Sequence, residues 1–338
     1  MKRVLVTRFS AMGDVAMVAS VLAEFQEQNP DTEVIVVTRK PFFAFFDGIP
    51  RIRFHAIEPK SKHKGFFGLL RLYDELKTYK ADYFADLHNN LRTKFLTGLF
   101  KFNSINLAIL DKGREEKKAL TSPHNKVLKP LERTVERYAD VFRSLGFNLT
   151  LTNQLKPAHR ELPEQYQDLF RTAKPKIGIA PFAQHPYKVF PLKKMEEVIR
   201  YLSEHSYQVF IFGGGQQEFD TAENWSKNYS GITNSINQFS ISEELNIIAN
   251  LDLMVSMDSS GMHMASLVGV RCVSIWGATH PYAGFLGYGQ REDDCVQVNH
   301  PNRPSSVYGN KPCICDGVEA IDLVTAEMVI DKIKSICE

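Results

Sequence analysis

Apolar residues recur along this chain in two alternating rhythms. "RVLVTRF" near the start is a short β-branched run that turns polar at "SAMGD". "VAMVASVLAEFQEQNP" then spaces its apolar residues as one face of a helix does, and Asn29-Pro30 stops it. "EVIVVT" is the next buried strand. Strand, glycine-containing turn, helix, strand is a βαβ unit, which implies a parallel sheet with helices on its faces.

The alternation continues. "GFFGLLRLYDELKTY" predicts an amphipathic helix, "ADYFADLH" a strand end and "NNLRTKFLTGLF" the next helix. "RTVERYADVFRSLG" is a helix with a glycine placed to stop it. "NLTLTNQLKPAHRELPEQ" then loses both periodicities and carries two prolines, as a crossing between domains would. Beyond it the pattern restarts with the strand "KIGIAPFA", the helix "LKKMEEVIRYLSEH", the strand "YQVFIFGGG" and the helix "QEFDTAENWSKN". "SISEELNIIANL" reads as a helix opened by a capping box, with Ser242 as the cap and Glu243 and Glu244 beside it. The strand "DLMVSM", the helix "SGMHMASLVG", the strand "RCVSIWG" and the amphipathic helix "TAEMVIDKIKSIC" complete the series. The fold class is therefore α/β, two halves in tandem. The expected domains are a Rossmann-like N-terminal domain over 1–155, a linker over 156–172, a second Rossmann-like domain over 173–320, and a terminal helix over 321–338 packing back on the first.

Composition sharpens the picture. With 338 residues there is room for two domains, and 24% charged residues is ordinary for a globular chain. No stretch of about 18 apolar residues occurs, and the first residues lack the apolar core of a secretory leader, so a cytoplasmic location is expected. Five cysteines, an odd number thinly spread, make no disulfide framework. Cys313 and Cys315 stand too close for Cys-x-x-Cys zinc spacing; with Cys295 and His300 they form a remote metal alternative, and free thiols are the expectation. Neither a metal nor a cofactor is expected.

The net charge of +2 hides an asymmetry. Residues 1–150 carry 25 Lys+Arg against 17 Asp+Glu, and residues 151–338 carry 16 against 22. A basic half and an acidic half meet different ligands. In "PKSKHKGFFGLLRLYDELKTYK", Lys60, Lys62, Lys64, Arg71, Lys77 and Lys80 surround Phe66, Phe67, Leu69 and Leu70. That is either a solvated helix face or a surface for an anionic, membrane-held acceptor. No nucleic-acid partner is expected.

In open α/β sheets ligands sit at the carboxyl ends of strands, and four polar clusters fall there. In "SAMGD", Gly13 permits close approach; Asp14 is a helix cap or a general base. In "PFAQHPYKVFP", Lys188 is either solvated or a point charge for an anion. In "FGGGQQE", Gly213 and Gly214 lead into a helix whose amides suit phosphate, and Glu218 can accept from ribose hydroxyls. In "SMDSSGMHMA", Asp258, Ser259 and Ser260 end a strand, Gly261 opens a helix, and His263 is a core histidine or a ligand. The loop "WGATHP", with Thr279, follows the next strand, so two neighbouring helix starts would hold a diphosphate. No Asp-x-Asp and no Gly-x-Ser-x-Gly appears.

Taken in order, "GD", "DLHNNLR" with Arg92, the lysine loop, "GGGQQE", "MDSSGMHMA" and "WGATHP" resemble the glycosyltransferase family 9 enzymes, the ADP-heptose:lipopolysaccharide heptosyltransferases and their relatives. The resemblance spans nearly the whole chain. It implies the GT-B fold, two Rossmann-like domains facing across a cleft, and inverting, metal-independent transfer. By resemblance Asp14 is the base and Lys188 neutralises donor phosphate or the leaving group. Glu218 takes the ribose, Asp258 the donor sugar, and the backbone after it with His263 the diphosphate. Gly13, Arg92, Lys60, Lys62 and Lys64 are the expected acceptor side. One departure is that the family's glycine two residues after the aspartate is Ser260 here, with Gly261 following. Two rival readings remain: a nucleotide-sugar 2-epimerase and a non-catalytic nucleotide-sugar-binding protein.

Overall fold

A computed structural model describes residues 1–102 and 105–338 of the chain. It divides into two compact units, Met1–Arg114 with Glu132–Asn153, and Glu115–Leu131 with Gln154–Glu338.

The first unit contains β1 (Lys2–Thr7), α1 (Met12–Gln28), β2 (Thr32–Thr38), β3 (Ile52–Ala56), α2 (Gly65–Lys77), β4 (Tyr83–Asp86), α3 (Leu91–Lys101) and β5 (Asn106–Ile109). A short α4 (Arg114–Leu120) leads out of it, and α5 (Thr134–Ser144) returns to it. The sheet runs β3-β2-β1-β4-β5, with every pairing parallel. Because it is parallel, all five loops that follow a strand leave from one edge. The order reverses beside β1, the switch point where such sheets bind ligands. α1 is buried on nearly all sides from Val15 to Leu22. α5 packs against it, with the Phe25 and Phe142 rings 4.7 Å apart and tilted at 37°.

The second unit opens with α6 (Gln167–Phe170) and continues with β6 (Lys176–Ala180), α7 (Leu192–Glu204), β7 (Gln208–Ile211), α8 (Gln216–Asn228) and β8 (Ile232–Asn234). α9 (Ile241–Ile248), β9 (Leu253–Met257), α10 (Ser260–Leu267), β10 (Cys272–Ile275) and β11 (Cys295–Val296) follow. A hairpin of β12 (Ile314–Cys315) and β13 (Val318–Glu319) precedes α11 (Ala326–Cys337). The sheet order is β11-β10-β9-β6-β7-β8, again parallel, and β6 with β9 forms its switch point. α11 lays Val329 and Ile333 into this unit's core, against α7.

The helix α9 starts earlier than its sequence suggests. Its cap is Ser240, not Ser242: the Ser240 hydroxyl accepts the Glu243 N–H at 3.3 Å, and the Glu243 carboxylate accepts the Ser240 N–H at 2.8 Å. The capping box needs its acid three residues after the cap, and only Ser240 has one there.

Candidate active site

The carboxyl edge of the first sheet gathers charge around Asp14. Asp14 sits in the first turn of α1 and accepts the Ala11 N–H at 3.2 Å, so it does cap the helix. It also forms an ion pair with Arg8, just beyond β1, and accepts the Tyr138 hydroxyl at 3.3 Å. Arg8 is buried and held independently: it donates to the Leu87 carbonyl at 2.8 Å and lies over the Tyr138 ring. Gly13 shares this first turn.

Asp86, wholly buried at the end of β4, turns the next loop. One of its oxygens accepts the Thr7 hydroxyl and the His88 and Asn89 amides. His88 Nδ1 accepts the Phe9 N–H at 3.2 Å. Burial, and then the charges of Arg8 and Lys112, push its pKa down to about 3, so the ring is neutral at physiological pH. Burial and then the Arg8 and Arg114 charges also lower the Lys112 pKa. Arg92 is exposed at the start of α3. Lys60, Lys62 and Lys64 lie in the loop after β3 on the same edge, with Lys62 2.8 Å from Glu75. Around Asp14 the edge thus gathers the cations Arg8, Lys112 and Arg92.

In the second unit Lys188 and Asp258, from the loops after β6 and β9, form an ion pair at 2.8 Å. Asp258 is 3% exposed. The strand β9 stops at Met257, before Asp258, Ser259 and Ser260, and α10 begins at Ser260 with Ser259 in the cap position. Gly261 explains the displaced glycine. A Cβ there would stand 2.6 Å from Ala180 Cβ and 2.8 Å from Ser256 Oγ, so only glycine lets α10 rest against the end of β6. His263 is buried on the first turn.

The glycine turn after β7 closes on itself. Gly214 N–H donates to Glu218 at 2.7 Å, and a Cβ at Gly213 would clash with Glu218 and Phe182. The amide takes one oxygen of the Glu218 carboxylate and leaves the other able to accept. Thr279, after β10, is fully buried, and its hydroxyl has no hydrogen-bond partner among the described residues.

Cys295 contacts Ser274, while Cys313 and Cys315 face each other at 4.0 Å and His300 pairs with Asp316. Among the described residues, the group of three that closes within 4.8 Å is His55, His63 and Glu75. His63 Nδ1 accepts the Glu58 N–H at 3.0 Å, which leaves its proton on Nε2, aimed at Glu75. That tautomer does not offer a metal the Nε2 lone pair.

Residues 69–311, well over half of the chain, match the model of glycosyltransferase family 9 (heptosyltransferase). The chain belongs to glycosyltransferase family 9. It is 22% identical over 291 residues to the lipopolysaccharide core heptosyltransferase OpsX of Haemophilus influenzae, covering 83% of this chain and 80% of that one. A family 9 glycosyltransferase from Veillonella parvula has a similar fold, with TM-score 0.75, 18% identity and 99% and 97% of the two chains covered. E. coli heptosyltransferase WaaC, solved with ADP, matches at TM-score 0.69, 17% identity and 98% and 99% coverage. The two parallel sheets are the GT-B arrangement of this family, and the protein is a glycosyltransferase.

For a family 9 enzyme, the sequence missed Arg8, His88, Lys112 and Tyr138 around Asp14. Arg8 carried a usable signal: it is a charge directly after the first buried strand, where an open sheet binds. His88 and Lys112 come from the loops after β4 and β5, and Tyr138 from the helix α5; no local pattern records their convergence.

Proposed function

We propose that the enzyme transfers a heptosyl residue from an ADP-linked donor to a lipopolysaccharide-type glycan, with inversion and without a metal. The observation that carries this reading is the Lys188–Asp258 ion pair at the switch point of the second sheet. A lysine there compensates a departing diphosphate, and a buried carboxylate beside it accepts from sugar hydroxyls. The relatives named for heptosyl transfer, and WaaC solved with ADP, support the sugar and the base. Asp14 takes the proton of the acceptor hydroxyl as that oxygen bonds to the anomeric carbon; the bond from that carbon to the diphosphate oxygen breaks. One displacement through an oxocarbenium-like state inverts the carbon, and no second carboxylate is needed. Ser259, Ser260, Gly261 and His263 would line the diphosphate, Gly213, Gly214 and Glu218 the nucleoside, and Thr279 the phosphates from the neighbouring loop. The first unit thus serves the acceptor and the second the donor.

A thermal-shift panel of ADP-, UDP-, GDP- and CDP-sugars tests the donor, since a ligand that binds only the folded state raises its apparent stability. ADP-heptose should give the largest rise, and turnover should be unchanged in EDTA. A strict Mg²⁺ or Mn²⁺ requirement would contradict the metal-free reading. Epimerisation of the sugar with no acceptor present would replace transfer by the epimerase reading.

We further propose that the acceptor is anionic and lipid-linked, met at the inner face of the cytoplasmic membrane. No helix among the described residues is long and apolar enough to cross a membrane. The loop carrying Lys60, Lys62 and Lys64 runs into α2, whose Phe66 and Phe67 are 59% and 83% exposed. Screening shortens the reach of exposed charges from about 10 Å at 0.1 M salt to about 3 Å at 1 M. Raising salt should therefore increase the KM for acceptor far more than that for the donor. Replacing all three lysines with glutamine should reproduce the high-salt value, and equal salt effects on both substrates would refute the idea.

A further inference from the structure

The segment 303–309 belongs to no motif, yet it holds the donor side of the second unit together. Arg303 is 1% exposed. Its guanidinium donates to the Gly277 carbonyl at 2.6 Å, the Thr279 carbonyl at 2.9 Å and the Trp276 carbonyl at 3.2 Å. It also donates to the Val298 carbonyl and, at 2.9 Å, to the Gln297 side chain. These partners are all neutral. The fourth carbonyl of the loop, Ala278, accepts from the Ser305 and Ser306 amides at 3.1 and 3.3 Å. All four carbonyl oxygens of residues 276–279 are therefore drawn to one side by this segment.

A trans peptide points its N–H opposite to its C=O. Drawing the oxygens inward turns the N–H groups of Gly277, Ala278, Thr279 and His280 the other way. The Ala278 N–H meets the Tyr187 carbonyl at 3.3 Å, which ties the loop to the segment carrying Lys188. At the other end of the segment, Gly309 lies against the Lys188 stem. A Cβ there would stand 2.4 Å from Lys188 Cγ and 3.0 Å from its Cδ and Cε. Burying a cation without a counter-charge is costly. Burial lowers the Arg303 pKa to about 10, so the side chain stays charged at neutral pH.

We propose that Arg303 is a positioning residue of the diphosphate site: it removes the carbonyl oxygens of residues 276–279 from the surface that meets the anion and, through the segment it anchors, fixes Lys188. This rests on the donor assignment above. An anion pocket must present donors, not carbonyl lone pairs, and an uncompensated guanidinium behind the loop adds to its positive potential.

Calorimetric binding of ADP, AMP and adenosine to the whole protein tests this in the wild type, Arg303→Lys, Arg303→Met, Gly309→Ala and Lys188→Ala. Arg303→Met should weaken ADP by about tenfold or more, with adenosine changing less than about twofold. Arg303→Lys keeps the charge but donates three hydrogen bonds at most, so its loss should be intermediate. Gly309→Ala displaces the lysine stem and should lower ADP affinity and kcat together, again sparing adenosine. If Arg303→Met does not fold, the lysine and Gly309 variants carry the test. Equal losses for ADP and adenosine, or ADP affinity unchanged in the folded Arg303 variants, would overturn the positioning role. If wild type binds no ADP and Lys188→Ala changes nothing, the donor assignment itself fails, and this proposal with it.

Discussion

Asp14→Asn is expected to lower kcat by roughly 10²–10⁴ while donor affinity stays within about twofold. Asparagine has the same shape, so its side-chain oxygen can still accept the Ala11 N–H and α1 keeps its first turn. What disappears is the basic carboxylate and the ion pair with Arg8. Arg8 is buried and would be left facing a neutral amide, so part of the effect could come from a displaced guanidinium rather than a missing base. The double variant Arg8→Met, Asp14→Asn separates the two. If Asp14 is the base, the double variant regains stability but not activity. If the single variant retains most of its kcat, Asp14 is a helix cap and nothing more.

The order of elements was legible because each half repeats one rule. Apolar runs of strand length alternate with helical spacing, and a polar, often glycine-bearing turn separates them. What escaped were short elements. β3, β5 and β8 carry exposed or half-buried positions that interrupt the apolar run by which the buried strands were read. Lys40–Phe46 is a 3₁₀ stretch, although "PFFAFF" is almost wholly apolar. Its Phe43 stacks on Phe54 at 4.3 Å, a tertiary contact that no sequence window contains. The site was legible in the same uneven way. Asp14, Glu218 and Asp258 stand directly after strands or in the first turn of a helix, where the topology itself marks them, while Lys188 ends a 3₁₀ turn in the loop between β6 and α7. Arg303 is far along the chain from the loop it serves, and its surroundings in the sequence are an irregular stretch. Gly261 is intermediate: the sequence shows a displaced glycine, but the reason is the close approach of Ala180, which belongs to another strand.

Lys188 and Asp258 should behave as one coupled unit, with a sign that depends on the ligand. Lys188→Ala should lower kcat by about 10²–10³, as loss of a charge-stabilising donor does. Its effect on binding goes beyond the missing cation, because it leaves Asp258, 3% exposed, as an uncompensated anion next to the diphosphate. Asp258→Ala does the opposite for ADP, which has no sugar to lose: it frees the lysine from its partner and should tighten ADP. With the full nucleotide sugar as ligand, the same change should weaken binding, because the carboxylate no longer accepts from the sugar hydroxyls. The double variant should then bind ADP more tightly than Lys188→Ala alone, and the effect of the double change should differ from the sum of the two single ones by the 0.5–3 kcal/mol typical of contacting residues. Isothermal titration of ADP and of a non-transferable donor analogue into all four proteins provides the cycle. Additive effects on ADP, or a weakening of ADP by Asp258→Ala, would show that the carboxylate does not govern the lysine, and that the ion pair has no part in holding the diphosphate.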